Sequence, residues 1–262
     1  MEYIIQYHPR FSHYDTLSGV IFEQYNIKNR LFEIFAFQKE HPNLQIRLRL
    51  SDENYAEVAP LIQENKDKYI LTAATALKAT ADLGKEYNIP ICAIVSSWSD
   101  LSYALELGYN EIEIFGDICF ELNHIKETVP DSVKVVCYPN IAQGVKSGDV
   151  KNFYIAPQDM VYYEPYIAKC ILTSRDMNNP DVIYEAYAID KTWEGALNYI
   201  IIDGPEMDRS LGGKAASFVQ ARIKCGKRCL KNRPCGMCDA FAALCGTLSL
   251  KHMSIIDKEN DT

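Results

Sequence analysis

Apolar and polar positions along this chain follow two rhythms. Short runs rich in β-branched and aromatic residues recur at 2–7, 44–50, 69–74, 91–96, 111–115, 133–138, 152–156 and 168–173, eight in all. Each has the length and composition of a strand. Between most of them the spacing shifts to the 3.6-residue helical period. Helices are predicted at 30–40, 53–66, 75–88, 99–108 and 117–127, after each of the first five strands in turn. Ser51 with Asp52, and Ser99 with Asp100, offer N-cap side chains, and Gly108 offers a C-cap.

Strands alternating with helices imply a parallel sheet joined by right-handed crossovers. Eight such units imply closure into a TIM-like (βα)8 barrel. The later units are weaker: 139–151 reads as loop, and the helix at 158–166 is short. An incomplete or distorted barrel is therefore the alternative. Helical stretches near 179–188 and 191–200 follow the last strand, then a Gly- and Asp-rich stretch at 203–213, a cysteine-rich segment and a final helix at 239–250. No linker separates a second domain. The expectation is one domain over 1–252, with the cysteine-rich segment at 222–250 inside it, and a flexible polar tail at 253–262.

The length of 262 residues, 48% hydrophobic, suits a single barrel. No apolar run approaches the ~20 residues of a membrane span. Met1-Glu2-Tyr3-Ile4-Ile5 lacks the basic region and long apolar stretch of a signal peptide. Cytoplasmic residence is expected, with thiols reduced or metal-bound. A net charge of −8 argues against broad nucleic-acid binding. One island runs the other way: Arg222, Lys224, Lys227, Arg228, Lys231 and Arg233, with no acid among them. It reads as a solvated loop, as compensation for an anionic metal–thiolate centre, or as a local RNA contact over 222–233. A homo- or hetero-oligomer is compatible with the sequence.

Five cysteines, Cys225, Cys229, Cys235, Cys238 and Cys245, fall within twenty-one residues. Cys235-x-x-Cys238 with Cys225-x3-Cys229 supplies four thiolates, which satisfies tetrahedral zinc or a four-iron cluster. Cys245 could replace one of the four, and the spacing does not choose the metal. Cys92, Cys137 and Cys170 lie in or at strands and Cys119 just after one, where each reads as a small buried hydrophobe.

A parallel barrel carries its chemistry at the C-terminal ends of its strands. Those ends place His8, Arg47, Arg49, Tyr138, Asn140 and Gln143 as substrate-binding candidates, and Asp117, Asp159 and Arg175 as catalytic ones. An arginine-rich mouth with His8 and Arg10 would suit a carboxylate, phosphate or phenolate. The plainer readings are that Asp117 caps a helix, that Asn140 and Asp159 hold turns, and that Arg47 and Arg49 face the barrel's outside or pair with carboxylates. The chain has no Gly-x-Ser-x-Gly, no Walker loop, no Gly-x-Gly-x-x-Gly and no His-Glu-x-x-His.

Ile114-Phe115-Gly116-Asp117-Ile118-Cys119-Phe120, Val136-Cys137-Tyr138-Pro139-Asn140-Ile141-Ala142-Gln143, and Phe153-Tyr154-Ile155-Ala156-Pro157-Gln158-Asp159 with Tyr163 and Tyr166 resemble successive segments of the collagenase-like peptidase family. Arg175 falls where that family ends a strand in arginine. Ala156, Gln158 and Thr173-Ser174 depart from its pattern. The resemblance spans about 70–250. It implies a TIM-like barrel, often incomplete, and a four-iron four-sulfur cluster held here by Cys225, Cys229, Cys235 and Cys238. It also implies oxygen-independent hydroxylation of a small aromatic or nucleobase-containing substrate. Zinc is the alternative metal. A peptidase or hydrolase, and a non-enzymatic zinc-stapled barrel acting as a binding or structural protein, are the alternative functions.

Overall fold

The computed structural model describes residues 1–23, 30–49, 52–74, 77–143, 153–173, 180–193, 199–202 and 216–225. Strands β1 (Glu2–Gln6), β2 (Gly19–Glu23), β3 (Gln45–Arg49), β4 (Tyr69–Ala73), β5 (Ile91–Val95), β6 (Glu111–Ile114), β7 (Lys134–Cys137) and β8 (Lys169–Leu172) pair in parallel, in sequence order. β8 then pairs with β1, Cys170 opposite Tyr3, and the barrel closes. The closed TIM-like barrel is thus the observed architecture, and the open alternative is set aside.

The described residues hold eight strands, but not the eight expected. The run at 19–23 is β2, while the described part of the strand expected at 152–156, residues 153–156, is not a strand. Phe153 makes only an antiparallel bridge to Gln143, and Tyr154, Ile155 and Ala156 continue as a buried, extended rim segment. The reason β2 was hard to see is its connection. Residues 7–18 hold a 3₁₀ turn at Tyr14–Thr16 instead of a helix. An aromatic cluster covers this part of the wall: Tyr7 stacks on Phe22 with centroids 4.5 Å apart, and Tyr14 meets Phe37 at 4.9 Å.

The outer helices fall close to expectation: α1 (Leu31–Glu40), α2 (Asp52–Ile62), α3 (Lys78–Tyr87), α4 (Trp98–Leu107) and α5 (Leu122–Thr128). A 3₁₀ turn at Gly116–Phe120 precedes α5. Two short helices, α6 (Met160–Tyr163) and α7 (Asp181–Tyr184), and a π-helical turn at Glu185–Ile189 follow, then α8 (Ala216–Cys225). Gly108 ends α4 with φ 83°, a left-handed C-cap that favours glycine. The N-cap of α4 is Ser97, two residues before the expected Ser99. Its Oγ accepts from the Asp100 backbone N–H at 3.2 Å, and the Asp100 carboxylate answers to the Ser97 backbone at 3.1 Å, a reciprocal capping box. Ser51, residues 194–198 of the helix predicted near 191–200, the helix predicted at 239–250, and the tail at 253–262 lie outside the described residues; residues 191–193, the start of the former, are not helical.

Strand alternation sorts side chains into two cores. One parity points outward and packs under the helices in a single large cluster that includes Ile5, Val20, Ile46, Leu48, Leu71, Val95, Ile112 and Leu172. The other parity points into the barrel, where Ile4, Ile21, Val136, Tyr138 and Ile171 form a separate small cluster. The same interior holds the buried polar side chains Arg47, Thr72, Glu111, Glu113 and Lys169.

Candidate functional site

Arg47 and Arg49 alternate with apolar residues on β3, so both enter the barrel. Glu111 and Glu113 do the same on β6. Arg47, 0% exposed, donates to Glu111 and, at 3.4 Å, to Glu113. Arg49 reaches Glu113 at 2.5 Å, and also Glu23 and the Tyr138 hydroxyl. Tyr138 in turn donates to Glu113. Lys169 completes the set, 2.9 Å from Glu111. Cys92 sits 3.6 Å from Glu113 in the same interior.

Burial alone would favour a neutral Arg47 and Arg49. The facing carboxylates overcome it and hold both guanidinium groups charged more firmly than usual. Burial likewise opposes an ionised Glu111, yet Arg47 and Lys169 keep its carboxyl below the usual range. Tyr138 goes the other way: burial, then the neighbouring Glu113, lift its phenol well above the ordinary value, so it stays a neutral donor. Three cations (Arg47, Arg49, Lys169) thus meet three carboxylates (Glu23, Glu111, Glu113).

This corrects the expected arginine-rich mouth. Arg47 is not at the rim at all, and Arg49, partly exposed, is already engaged by Glu23 and Glu113. Of the readings open to these arginines, pairing with carboxylates is the one the structure shows. Glu23, Glu111, Glu113 and Lys169 were not singled out in the sequence. Their signal was there: Gln-Ile-Arg-Leu-Arg on one strand and Glu-Ile-Glu-Ile on another are complementary patterns. In a barrel buried on both faces, such alternating charges must meet.

His8 lies just past β1 and is buried. Its ring Nδ1 accepts the Arg10 N–H at 3.2 Å, and its backbone exchanges two hydrogen bonds with the Tyr14 hydroxyl at 3.0 and 2.7 Å. It therefore holds the turn after β1, and Arg10 is exposed. Asn140, fully buried, is a staple between strand ends. Its amide donates to the Thr173 and Ile200 carbonyls at 2.5 and 3.3 Å, and its carbonyl accepts the Thr173 N–H at 3.1 Å. All three of these side-chain bonds go to backbone, which is the turn-holding reading of Asn140. Arg175 lies outside the described residues.

A second polar group gathers on the flank of the C-terminal rim, where α8 docks. Gln143 is buried, and its Oε1 accepts from the Gly116 N–H at 2.5 Å and the Cys119 thiol at 3.3 Å. Among the described residues its Nε2 has no partner, nor does either amide atom of Gln158. Asp159 follows Gln158 in a 3₁₀ turn. Burial raises its carboxyl to about 6, against the pull of Arg222. Arg222, from α8, stacks over Tyr154 at 4.7 Å. With Cys119, Phe120, Leu122, Phe153, Tyr163 and Ile223 it lines a shallow pocket. Asp117 is exposed in the turn before α5.

Ile223 anchors α8 against the core, and the Asn123 amide donates to the Ile223 carbonyl at 3.3 Å. Cys225, the last residue of α8, is a free, partly exposed thiol. Cys229, Cys235, Cys238 and Cys245 lie outside the described residues. Cys92, Cys119, Cys137 and Cys170 are buried, as small hydrophobes would be. Among the described residues no group of three or more His, Cys, Asp or Glu gathers as for a metal. No described helix is long and apolar enough to cross a membrane.

No family model matches the chain, and no curated protein matches its sequence. Among solved structures, the native KDPGal structure is similar at 13% identity and a TM-score of 0.44, over 66% of this chain and 82% of that one. A 4-hydroxy-2-oxoglutarate aldolase/2-deydro-3-deoxyphosphogluconate aldolase from TTHB1 is similar at 15% identity and 0.42, over 64% and 82%. A cube-shaped, highly porous protein cage designed by fusing symmetric oligomeric domains is similar at 11% and 0.45, over 99% and 85%. None of these likenesses carries a residue role to this chain.

Proposed function

We infer that this chain is an iron–sulfur oxidoreductase on a TIM-like barrel, acting by oxygen-independent hydroxylation on a small aromatic or nucleobase-containing substrate. The observation that carries the reading is the position of Cys225. Helix α8 packs on the turn at 116–120, on α5 and on α6, and ends at Cys225 beside the C-terminal rim. The cysteine run therefore starts about one helical turn beyond Arg222, the side chain that acts on Asp159 and stacks over Tyr154. Cys225 is partly exposed, whereas Cys92, Cys119, Cys137 and Cys170 are buried.

The donor set fits the group. Four thiolates, Cys225, Cys229, Cys235 and Cys238, are the ligands a four-iron cluster takes. Basic residues threaded through the run offset the charge of such a centre. When bound, the cluster would supply electron transfer or orient the substrate. The chain's own residues do the rest. Asp159, with a carboxyl near 6, can take or give a proton at neutral pH. The unpaired amides of Gln143 and Gln158 can bind substrate carbonyl or hydroxyl groups. Arg222 and the rings around it offer a stacking surface for a planar ring. Arg222 faces Tyr154, so an RNA contact by the basic segment would fall to residues beyond it.

The test is anaerobic purification with metal and sulfide analysis. The reading expects a brown protein with about four irons and matching sulfide per chain. Replacing Cys235 and Cys238 by Ser should bleach it while the barrel stays folded. A colourless protein holding one tightly bound zinc would overturn the iron–sulfur reading and favour a zinc-stapled barrel.

A further inference from the structure

Cys137 and Cys170 are direct register partners on β7 and β8, so their side chains share one face of the sheet. Their sulfurs are 3.8 Å apart. The Met1 thioether lies 3.1 Å from the Cys170 sulfur. Three sulfurs from three consecutive wall positions, the start of β1, β8 and β7, therefore converge outside the barrel. Tyr163 of α6 and Tyr187 of the π-helical turn, both buried, are neighbours of these thiols. Two neighbouring thiols would be unremarkable as core filler. The third sulfur, from a different strand, is what packing alone does not ask for.

We propose that Cys137, Cys170 and Met1 form a binding site for a soft monovalent metal ion, copper(I) in the first instance. A metal ~2.3 Å from each thiolate would subtend about 110° between sulfurs 3.8 Å apart, an angle a d10 ion accepts. Thiolate and thioether donors are the soft set that selects copper(I). Zinc is disfavoured, because no imidazole or carboxylate completes a four-ligand set among the described residues. Binding displaces the two thiol protons and needs no change of oxidation state. Burial of both thiols keeps water and oxygen from the ion, and Met1, which is partly exposed, marks the entry side. The site uses none of the cysteines of the run that begins at Cys225 and does not depend on what that run binds.

The test uses the full chain with Cys225, Cys229, Cys235, Cys238 and Cys245 each replaced by Ser, its fold checked by circular dichroism. Copper(I) is titrated anaerobically against bathocuproine disulfonate. About one equivalent should bind, and it should be lost on adding Cys137→Ala or Cys170→Ala but not Cys92→Ala. If the five-fold variant does not fold, the unmodified chain is titrated with and without Cys137→Ala/Cys170→Ala, and the difference should be about one equivalent. Copper-edge absorption should show three sulfur neighbours. An unchanged stoichiometry, two sulfur neighbours, or a Cys137–Cys170 disulfide in place of bound copper would each overturn the site.

Discussion

Arg47 has no exposed surface, so its charge is balanced wholly inside the barrel by Glu111 and Glu113. Replacing one member of such a set strands the others in a low-dielectric interior. Arg47→Met should cost about 3–5 kcal/mol of unfolding free energy, read from urea titration. Adding Glu111→Gln should recover at most part of that loss, because it rebalances the charges but takes from Lys169 its partner at 2.9 Å. A loss below about 1 kcal/mol for the single variant would contradict the network. Asp159 presents the opposite case. Its folded value of about 6 lies above the ~3.9 of an unfolded aspartate, so its ionised form is the disfavoured one. The penalty is absent below about pH 4, grows between 4 and 6, and is complete above 6. Asp159→Asn should therefore equal the wild type in stability near pH 4 and exceed it at pH 8, by at most about 3 kcal/mol. Equal stability at both pH values would show that the carboxyl is not held near 6.

At the scale of elements, the strands and helices with strong periodicity were legible, and the exceptions have local causes. β2 follows β1 without a helix, so no change of period announced it. The run at 153–156 is as apolar as a strand, yet it finds only the bridge of Phe153 to Gln143 and one bond from the Ile155 N–H to the Pro139 carbonyl at 2.9 Å, because β7 already pairs with β8. Nothing in the composition of a buried run says which neighbour it finds. β2 also explains Gly19. A Cβ there would stand 2.8 Å from the Gln45 carbonyl oxygen, a backbone atom of β3 that cannot turn aside. Gly19→Ala should force the β2–β3 contact open and lower the melting temperature by more than Ser97→Ala. The latter removes only the α4 cap, about 1 kcal/mol. If Gly19→Ala melts with the wild type, β2 is not where the register puts it.

At the scale of the whole molecule, the eightfold alternation announced the barrel, but the polarity of its interior was not legible. Each charged strand looks amphipathic by itself. Only closure brings β3 and β6 across one lumen, and only then do Arg47 and Arg49 find Glu111 and Glu113. The flank site shows the same limit: Asp159 and Gln143 were named from strand ends, while Arg222 joins them only because α8 folds back on the rim. Closure itself rests on the β1–β8 seam, where Glu2, Tyr3, Ile4 and Ile5 pair with Lys169, Cys170, Ile171 and Leu172. An open sheet would leave β1 and β8 as frayed edges with unpaired amides. Native-state hydrogen exchange separates the two. In the closed barrel the amides within the β1–β8 ladder should open only with global unfolding, in the same slow class as those of β4 and β5. Arg47→Met should then speed all of these strands by one common factor, since the interior network ties opposite walls together. Fast exchange confined to β1 and β8 would instead mean that the seam opens independently of the rest.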